Sequence, residues 1–296
     1  MWRSSEEALG CAPVIASEGL SPRSVFLLAL CGGAIVAGCA LHDWDGYSSG
    51  VATVSTEDGG TPDSGTAVIA TDSGEAGGLD TYGVVVQADS PIAWYRFEEP
   101  IGTTTVTDVA GKYPGKAETT AYFGATGVAG HGVTLDGTGG FDLGDVFDFA
   151  GKNSFTLEAW VRSEILSTAD QRLMFKRDDG NSGGGYVLYL GGDHTPHFEV
   201  AGAGMSSWSN TAIPTTFTHI VVTVAYIDSI GNATLWFNGQ RAEYRGFNAT
   251  EAIPDTPEHY TMGTSLKGTL DEVAIYDKAL TDARILAHYL AGSAGQ

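Results

Sequence analysis

The chain contains three cysteines whose thiols could react, Cys11, Cys31 and Cys39, and all of them lie in the first 39 residues. The rest of the chain contains no cysteine. The body of the protein therefore holds neither a disulfide nor a cysteine-ligated metal, and its stability must come mainly from packing. What remains is to identify the thiol that has a reaction partner.

Cys39 follows a segment with the properties of an export signal. Val25 to Val36 is uncharged and apolar, with Arg23 before it, and it is too short for a membrane span of about 20 residues. The sequence Val36-Ala37-Gly38-Cys39 resembles the lipobox of bacterial lipoproteins, in which the cysteine thiol takes up diacylglycerol after small residues at the cleavage point. The resemblance implies a signal peptide over residues 1–38 and a lipid on Cys39, which would anchor the protein to a membrane.

Two features near this signal qualify the interpretation. The lead from Met1 to Ser21 is long and contains Glu6 and Glu7, so we expect translation to start downstream. The alternative to a lipoprotein signal is an ordinary secretory signal or a buried hydrophobic segment. Ala40 stands where an aspartate can retain lipoproteins at the inner membrane in some bacteria. We therefore expect a cell-envelope protein, at the outer membrane in preference to the inner one.

The segment after Cys39 has the composition of a tether. Ala40 to about Tyr82 is rich in Gly, Ser, Thr and Asp, with eight acidic residues and no Lys or Arg. It shows no sustained apolar period, so burial cannot offset chain entropy. We predict a disordered linker over residues 39–82 that spans roughly 35 Å, followed by one folded domain over residues 83–293.

The net charge of −21 excludes one class of partner. Binding to a phosphate backbone depends on Lys and Arg that displace counterions, so we predict no nucleic-acid partner. Direct docking on anionic lipid is disfavoured for the same reason.

The body shows the alternation of β-strands. In Phe155–Arg162, Phe155, Leu157, Ala159 and Val161 share one face, and the intervening residues share the other. Similar patterns and turn residues predict strands at Ala93–Phe97, Val133–Asp136, Leu173–Arg177, Tyr186–Leu190, His197–Val200, His219–Tyr226, Ala233–Asn238 and Leu270–Asp277. Only Thr281–Leu290 has a helical stripe. The pattern predicts an all-β fold, either a sandwich or a jelly roll, with one short C-terminal helix.

Five motifs in order resemble the laminin-G-like, concanavalin A-like jelly-roll domains of bacterial surface proteins. They are the opening Ala88-Asp-Ser-Pro-Ile-Ala-Trp-Tyr-Arg-Phe-Glu-Glu99, the turn at Asp108–Gly111, the central strand Ser154–Val161, the hairpin Thr234–Gly239 and the last strand Gly268–Asp277. The resemblance covers about residues 82–292. It implies an all-β, two-sheet antiparallel jelly-roll sandwich. Domains of this kind bind glycans, glycoproteins or other surface ligands, although a fold alone does not fix a function.

The resemblance also implies a structural calcium ion near the first and last strands. Its expected ligands are Glu99, Asp108 and Asp271, because calcium prefers carboxylate and carbonyl oxygens. The alternative is that Asp271 caps a turn and Glu99 is solvated.

Carbohydrate binding would need an exposed aromatic ring. Trp208 lies in the Gly- and Ser-rich segment Gly202–Asn210 and is the best candidate. Tyr186 and Tyr189 fall on opposite faces of one strand, so at most one of them can point into the core of a two-layer sandwich. For Trp94, Trp160 and Trp236, which lie in strands, packing is the favoured interpretation.

An enzymatic function is not expected. Retaining glycosidases need two carboxylates about 5–5.5 Å apart, and the glucanases of this fold carry them in a Glu-x-Asp-x-x-Glu run that this chain lacks. We therefore predict a non-catalytic, lectin-like domain that binds carbohydrate or glycoconjugate. A structural or protein-binding surface module that recognises another envelope protein is the alternative, and a polysaccharide-degrading enzyme is the least favoured.

Overall fold

The structure is a computed structural model that describes residues 79–119, 121–164, 169–178, 183–242, 245–247 and 250–296. Within these residues, 17 strands form two antiparallel sheets, and two helices complete the fold. The predicted all-β sandwich with a short C-terminal helix is confirmed. Cys39 and the signal segment lie outside the described residues.

Strands and helices are numbered in chain order. The eight-stranded sheet contains, from edge to edge, β14 (Gln240–Arg241), β13 (Ile230–Phe237), β12 (Thr218–Ile227), β7 (Phe155–Ser163), β17 (Lys267–Tyr276), β5 (His131–Asp136) and β4 (Tyr122–Thr126), with β1 (Ala93–Tyr95) also paired to β17. The nine-stranded sheet contains β15 (Arg245–Phe247), β11 (Met205–Trp208), β10 (Pro196–Val200), β9 (Gly185–Leu190), β8 (Gln171–Arg177), β16 (Thr261–Met262), β6 (Phe141–Asp142), β3 (Gly115–Ala117) and β2 (Thr105–Val106).

The two faces of β7 divide the interior into two apolar layers. Phe155, Leu157, Ala159 and Val161 belong to the main core between the sheets, as their alternation predicts. On the other face, Trp160 joins a second core with Trp94 and Trp236. All three tryptophans are buried, so the packing interpretation of these residues is confirmed.

The helices lie on this second core. α2 (Asp282–Ser293) buries Ile285 and His288. α1 (Thr81–Ala88) was not predicted; Asp80 caps it by accepting a hydrogen bond from the Gly83 amide at 2.6 Å. Tyr82, placed in the linker by the sequence analysis, is 2% exposed. The folded body therefore begins before residue 82, which corrects the predicted boundary.

The helices thus cover the outer face of the eight-stranded sheet. The outward side chains of the central strands of the nine-stranded sheet, with the exception of Val187, stay partly exposed. None of the helices among the described residues has the length and apolar character that crossing a bilayer requires. The open face is where a ligand can reach regular, rigid backbone.

Candidate functional site

The open face of the nine-stranded sheet is set by the alternation of its central strands. In β9, Tyr186, Leu188 and Leu190 point into the main core, so Val187 and Tyr189 point outward. In β10, Phe198 and Val200 point inward, which turns His197 and Glu199 outward. The strand period therefore brings aromatic and charged side chains together on one surface.

Tyr189 is held rigidly at the centre of this surface. Its hydroxyl donates to Glu199 Oε1 at 3.0 Å, and Arg177 donates to Glu199 Oε2 at 2.8 Å. The His197 ring stacks on the Tyr189 ring, with centroids 5.0 Å apart and planes 15° apart. Partial burial and the charge of Glu199 raise the pKa of Tyr189, so its hydroxyl remains a donor. Tyr189 also lines the cavity beside β8.

Two open cavities occupy the face on either side of β8. The smaller, of about 250 Å³, is lined by Asp170, Arg172, Phe175, Arg177, Val187, Tyr189 and Glu199. The larger, of about 510 Å³, is lined by Glu118, Asp142, Arg172, Phe175, Pro257, Glu258, His259, Thr261 and Thr264. The Arg172 guanidinium lies 4.1 Å above the centre of the Phe175 ring, and both residues line both cavities.

An ion pair marks the far side of the larger cavity. His259 Nδ1 lies 2.9 and 3.0 Å from the two carboxylate oxygens of Asp142. The hydrogen bond and charge of Asp142 raise the pKa of His259. The pair is exposed, so it offers both a donor and an acceptor to a ligand in the cavity.

The three aromatic residues singled out from the sequence have different positions. Tyr189 lines the smaller cavity. Trp208 is partly exposed and lies opposite His197 in β11, so it belongs to a strand of the same sheet and not to the predicted loop. Tyr186 is 1% exposed and its hydroxyl donates to the Phe147 carbonyl oxygen. The structure therefore corrects the prediction of Tyr186 as a ligand contact, because its ring packs in the core.

The proposed calcium ligands do not form a cation site. Asp108 accepts four backbone hydrogen bonds, from the amides of Trp94, Ala110, Lys112 and Tyr113. Its oxygens are surrounded by donors, which repel a cation. Asp108 therefore stabilises a turn.

The other two predicted calcium ligands differ in their partners. Asp271 accepts from the amides of Val128, Ala129 and Glu272. Glu99 Oε1 accepts from the amide of Thr107, whereas Glu99 Oε2 is buried without a hydrogen-bond partner, and one such oxygen does not make a calcium site. In the described part of the chain, no three His, Cys, Asp or Glu side chains are grouped as metal ligands. The residues present do not fit the implied calcium ion.

A second polar cluster lies beneath the helices around Glu158, which is 0% exposed. Glu158 Oε1 accepts from the Tyr82 hydroxyl at 3.1 Å and contacts His219 Nε2 at 2.8 Å. Glu158 Oε2 accepts from the Tyr276 hydroxyl and contacts His288 Nδ1, both at 2.9 Å. Protein groups occupy both oxygens, so this cluster fastens the helices to the sheet and leaves no place for a ligand.

His288 bridges two carboxylates, since its Nε2 lies 2.8 Å from Asp89 Oδ2. Burial alone would lower the pKa of His288, but the charges and hydrogen bonds of Glu158 and Asp89 outweigh it and raise the pKa. Burial alone would raise the pKa of Glu158, but His288 and His219 outweigh it and lower the pKa. The carboxylate and the imidazolium therefore hold each other in their charged forms.

The cluster predicts how stability depends on pH. The interactions that raise the His288 pKa stabilise the fold fully at pH values below the ordinary pKa of 6.5. This stabilisation is lost as the pH rises through the pKa of His288 in the folded protein. The interactions that lower the Glu158 pKa stabilise the fold at pH values above the ordinary pKa of 4.5. This stabilisation is lost as the pH falls through the pKa of Glu158 in the folded protein. Burial raises the pKa of Glu272 to about 8, which also favours the fold at lower pH.

We therefore expect a higher thermal unfolding midpoint at about pH 6 than at about pH 9. His288→Gln should reduce the difference, because it removes one of the titrating groups. The check is calorimetry of both proteins at both pH values. A wild-type midpoint that rises over this interval would contradict the assignment of charge in the cluster.

Sequence reasoning missed the charged and aromatic side chains around Tyr189, namely Arg172, Phe175, Arg177 and Glu199. Their strands were predicted, and the alternation in β10 could have paired Glu199 with His197 on one face. The bulge in β8 between Arg172 and Met174 shifts the alternation there. For this reason Arg172 and Phe175, three positions apart, share the outer face, and sequence spacing alone did not indicate it.

A family model described as the concanavalin A-like lectin/glucanases superfamily matches residues 135–286. The matched region contains the central strand, the hairpin and the last strand on which the sequence resemblance depends, so the predicted resemblance is confirmed. A search of curated protein sequences found no match to the chain.

Solved structures with the same fold come from several sources. A mutant of Trypanosoma rangeli sialidase displaying trans-sialidase activity has a TM-score of 0.53 and 17% identity, and the match covers 70% of this chain and 33% of the sialidase. Domain 4 of AbnA, a GH43 extracellular arabinanase from Geobacillus stearothermophilus solved with arabinotriose, has a TM-score of 0.52 and 20% identity. The match covers 67% of this chain and 98% of the arabinanase domain. The binding domain of Paraclostridial Mosquitocidal Protein 1 has a TM-score of 0.51 and 14% identity, and the match covers 68% of this chain and 52% of the binding domain.

These likenesses are likenesses of fold. The chain spans about a third of the length of the sialidase structures it matches. The arabinanase domain, by contrast, is matched over nearly its whole length.

Proposed function

The chain belongs to the concanavalin A-like lectin/glucanase superfamily, and on that premise we propose that it is a non-catalytic carbohydrate-binding protein of the cell envelope, anchored by a lipid on Cys39. The observation that carries the proposal is the open face around Tyr189. There an outward aromatic ring is fixed by His197 and Glu199 and lines the smaller of two solvent-open cavities. Such a ring suits the apolar face of a pyranose or furanose sugar.

The polar groups of the face suit sugar hydroxyls. Arg177 and Glu199 hold each other in place, so they present donors and acceptors without first losing side-chain freedom, which strengthens binding. Trp208 extends the same face by one strand beyond His197. Ligand complexes of the fold offer a precedent, since the arabinanase domain was solved with arabinotriose.

The proposal excludes catalysis because no paired-carboxylate run of the glucanase type is present in the sequence. Glu158, the glutamate of the central strand, is buried and bonded to protein groups on both oxygens. The bound glycan would therefore leave the site unchanged.

A glycan array probed with the purified full chain tests the proposal. We expect selective binding to a set of related oligosaccharides, and no release of reducing ends when the bound polysaccharide is incubated with the protein. Absence of binding to any glycan, together with capture of another envelope protein, would support the protein-binding alternative. Release of sugar would show that the protein is an enzyme.

The anchor makes a separate prediction. When the chain is expressed in a bacterium fed with labelled palmitate, we expect label in the wild-type protein and its loss in Cys39→Ala, because the thiol is the acceptor of the lipid. Cys31→Ala is the matched control and should keep the label, since Leu30 is too large for the position before the cleavage point. Equal labelling of Cys39→Ala and wild type would overturn the lipid anchor. If the label depends on Cys39, fractionation of the envelope distinguishes placement at the outer membrane from placement at the inner membrane.

A further inference from the structure

We infer, on the premise of the proposed carbohydrate binding, that the ligand is a neutral oligosaccharide that lies across the strands of the open face and is held along its chain. The two cavities on that face adjoin, because both are lined by Arg172 and Phe175. Together they form one groove, defined here by the lining residues of both cavities. The inference concerns the direction of this groove, its length and its charge.

The strand register gives the direction. Glu199 of β10 is opposite Val187 of β9, Val187 is opposite Phe175 of β8, Phe175 is opposite Thr261 of β16, and Thr261 is opposite Asp142 of β6. All five residues line one cavity or the other. The groove therefore runs perpendicular to the strands, along a single cross-strand row.

The same row gives the length. Five adjacent strands are separated by four intervals of about 4.8 Å, so the row is about 19 Å long. This is several times the width of one sugar ring, and the cavities are open to solvent. A groove of this kind accommodates the interior of a chain, whereas recognition of a single terminal sugar needs an enclosed pocket.

The charges of the groove indicate a neutral chain. Five carboxylates line it, those of Glu118, Asp142, Asp170, Glu199 and Glu258, against the guanidinium groups of Arg172 and Arg177 and the imidazole of His259. Arg177 is paired with Glu199 at 2.8 Å and His259 with Asp142 at 2.9 Å. The whole chain carries a net charge of −21. An acidic glycan would be repelled, whereas carboxylates accept hydrogen bonds from the hydroxyls of a neutral one.

The test is calorimetry of the full chain with matched oligosaccharide ladders from dimer to hexamer. Xylo-, cello- and arabino-oligosaccharides are the neutral ladders, and oligogalacturonates are the acidic one. We expect the affinity for at least one neutral ladder to rise by about tenfold or more between dimer and tetramer. We expect the oligogalacturonates to bind more weakly at every length.

Two variants check that the ligand reaches the far side of the groove. His259→Ala should lower the affinity for the neutral hexamer several-fold and reduce the gain with length. His131→Ala is the matched control, since His131 forms a similarly exposed ion pair with Glu98 at 2.9 Å on the other sheet. His131→Ala should change neither the affinity for the neutral hexamer nor the gain in affinity with length.

The outcomes separate the inference from the function on which it rests. Neutral ladders that bind with no gain in affinity beyond the dimer, or oligogalacturonates that bind more tightly than the neutral ladders, would overturn the inference and leave carbohydrate binding in place. If no ladder and no glycan of an array binds, both the inference and the proposed function fail.

Discussion

Replacing Glu158 by alanine is expected to lower the free energy of unfolding by about 3–5 kcal/mol, the range for breaking a buried ion pair by removal of one partner. The carboxylate joins five elements, because its partners Tyr82, His219, Tyr276 and His288 lie in α1, β12, β17 and α2 while Glu158 lies in β7. All five residues are buried. Without the carboxylate, the hydroxyls of Tyr82 and Tyr276 stay buried without this acceptor, and the His288 imidazolium keeps Asp89 but loses its second counter-charge.

The measurement is urea unfolding at neutral pH. Glu251→Ala is the control, since Glu251 is exposed, and it should change stability by about 0.5 kcal/mol or less. Glu158→Gln keeps the shape and should restore part of the loss, but not the charge that holds His288 protonated. A loss below about 1 kcal/mol for Glu158→Ala would show that the cluster is not the fastening of the helices.

Replacing Tyr189 by alanine is expected to reduce the affinity for the preferred glycan by about thirtyfold, which corresponds to about 2 kcal/mol and is the scale of an aromatic hot spot. The change removes the ring that faces the smaller cavity and leaves Glu199 without one of its two donors. Tyr189→Phe keeps the ring and loses only the hydroxyl, so it should retain most of the affinity. Calorimetric titration with the glycan measures both values.

The control for this experiment is Tyr122→Ala. Tyr122 is 54% exposed and lies in β4 of the other sheet, so its loss should leave the affinity unchanged. Unfolding curves of the variants exclude a general loss of structure. Equal affinity of Tyr189→Ala and wild type would place the binding site elsewhere on the molecule.

Local sequence patterns were sufficient for nine of the 17 strands among the described residues. The alternation in Phe155–Arg162 correctly assigns one face to the main core, and the same reasoning places Tyr186 and Tyr189 on opposite faces of β9. α1 escaped prediction because Val84, Val85 and Val86 have low helix propensity. Its stability comes from tertiary contacts such as the hydrogen bond from Tyr82 to Glu158, which local sequence does not show.

The groove escaped prediction because it depends on long-range pairing. β16 lies beside β8 although Thr261 is far along the chain from Phe175, and only this pairing brings His259 and Asp142 to the same face as Tyr189. The partners of Asp108 could not be predicted for a related reason. Carboxylates near Gly-rich turns suit a cation and suit backbone amides equally well, and only the directions of the amides of Ala110, Lys112 and Tyr113 distinguish the two.

The most direct test of the central claim, that the open face of the nine-stranded sheet binds carbohydrate, is an NMR titration of the assigned full chain with the glycan that binds best. The structure predicts that the largest shift changes fall on outward residues of β8, β9 and β10, with Tyr189, Phe175 and Glu199 among them. Residues of α1, α2 and the outer face of the eight-stranded sheet should be unaffected. Shift changes confined to the helices or to the edge of the other sheet would contradict the claim.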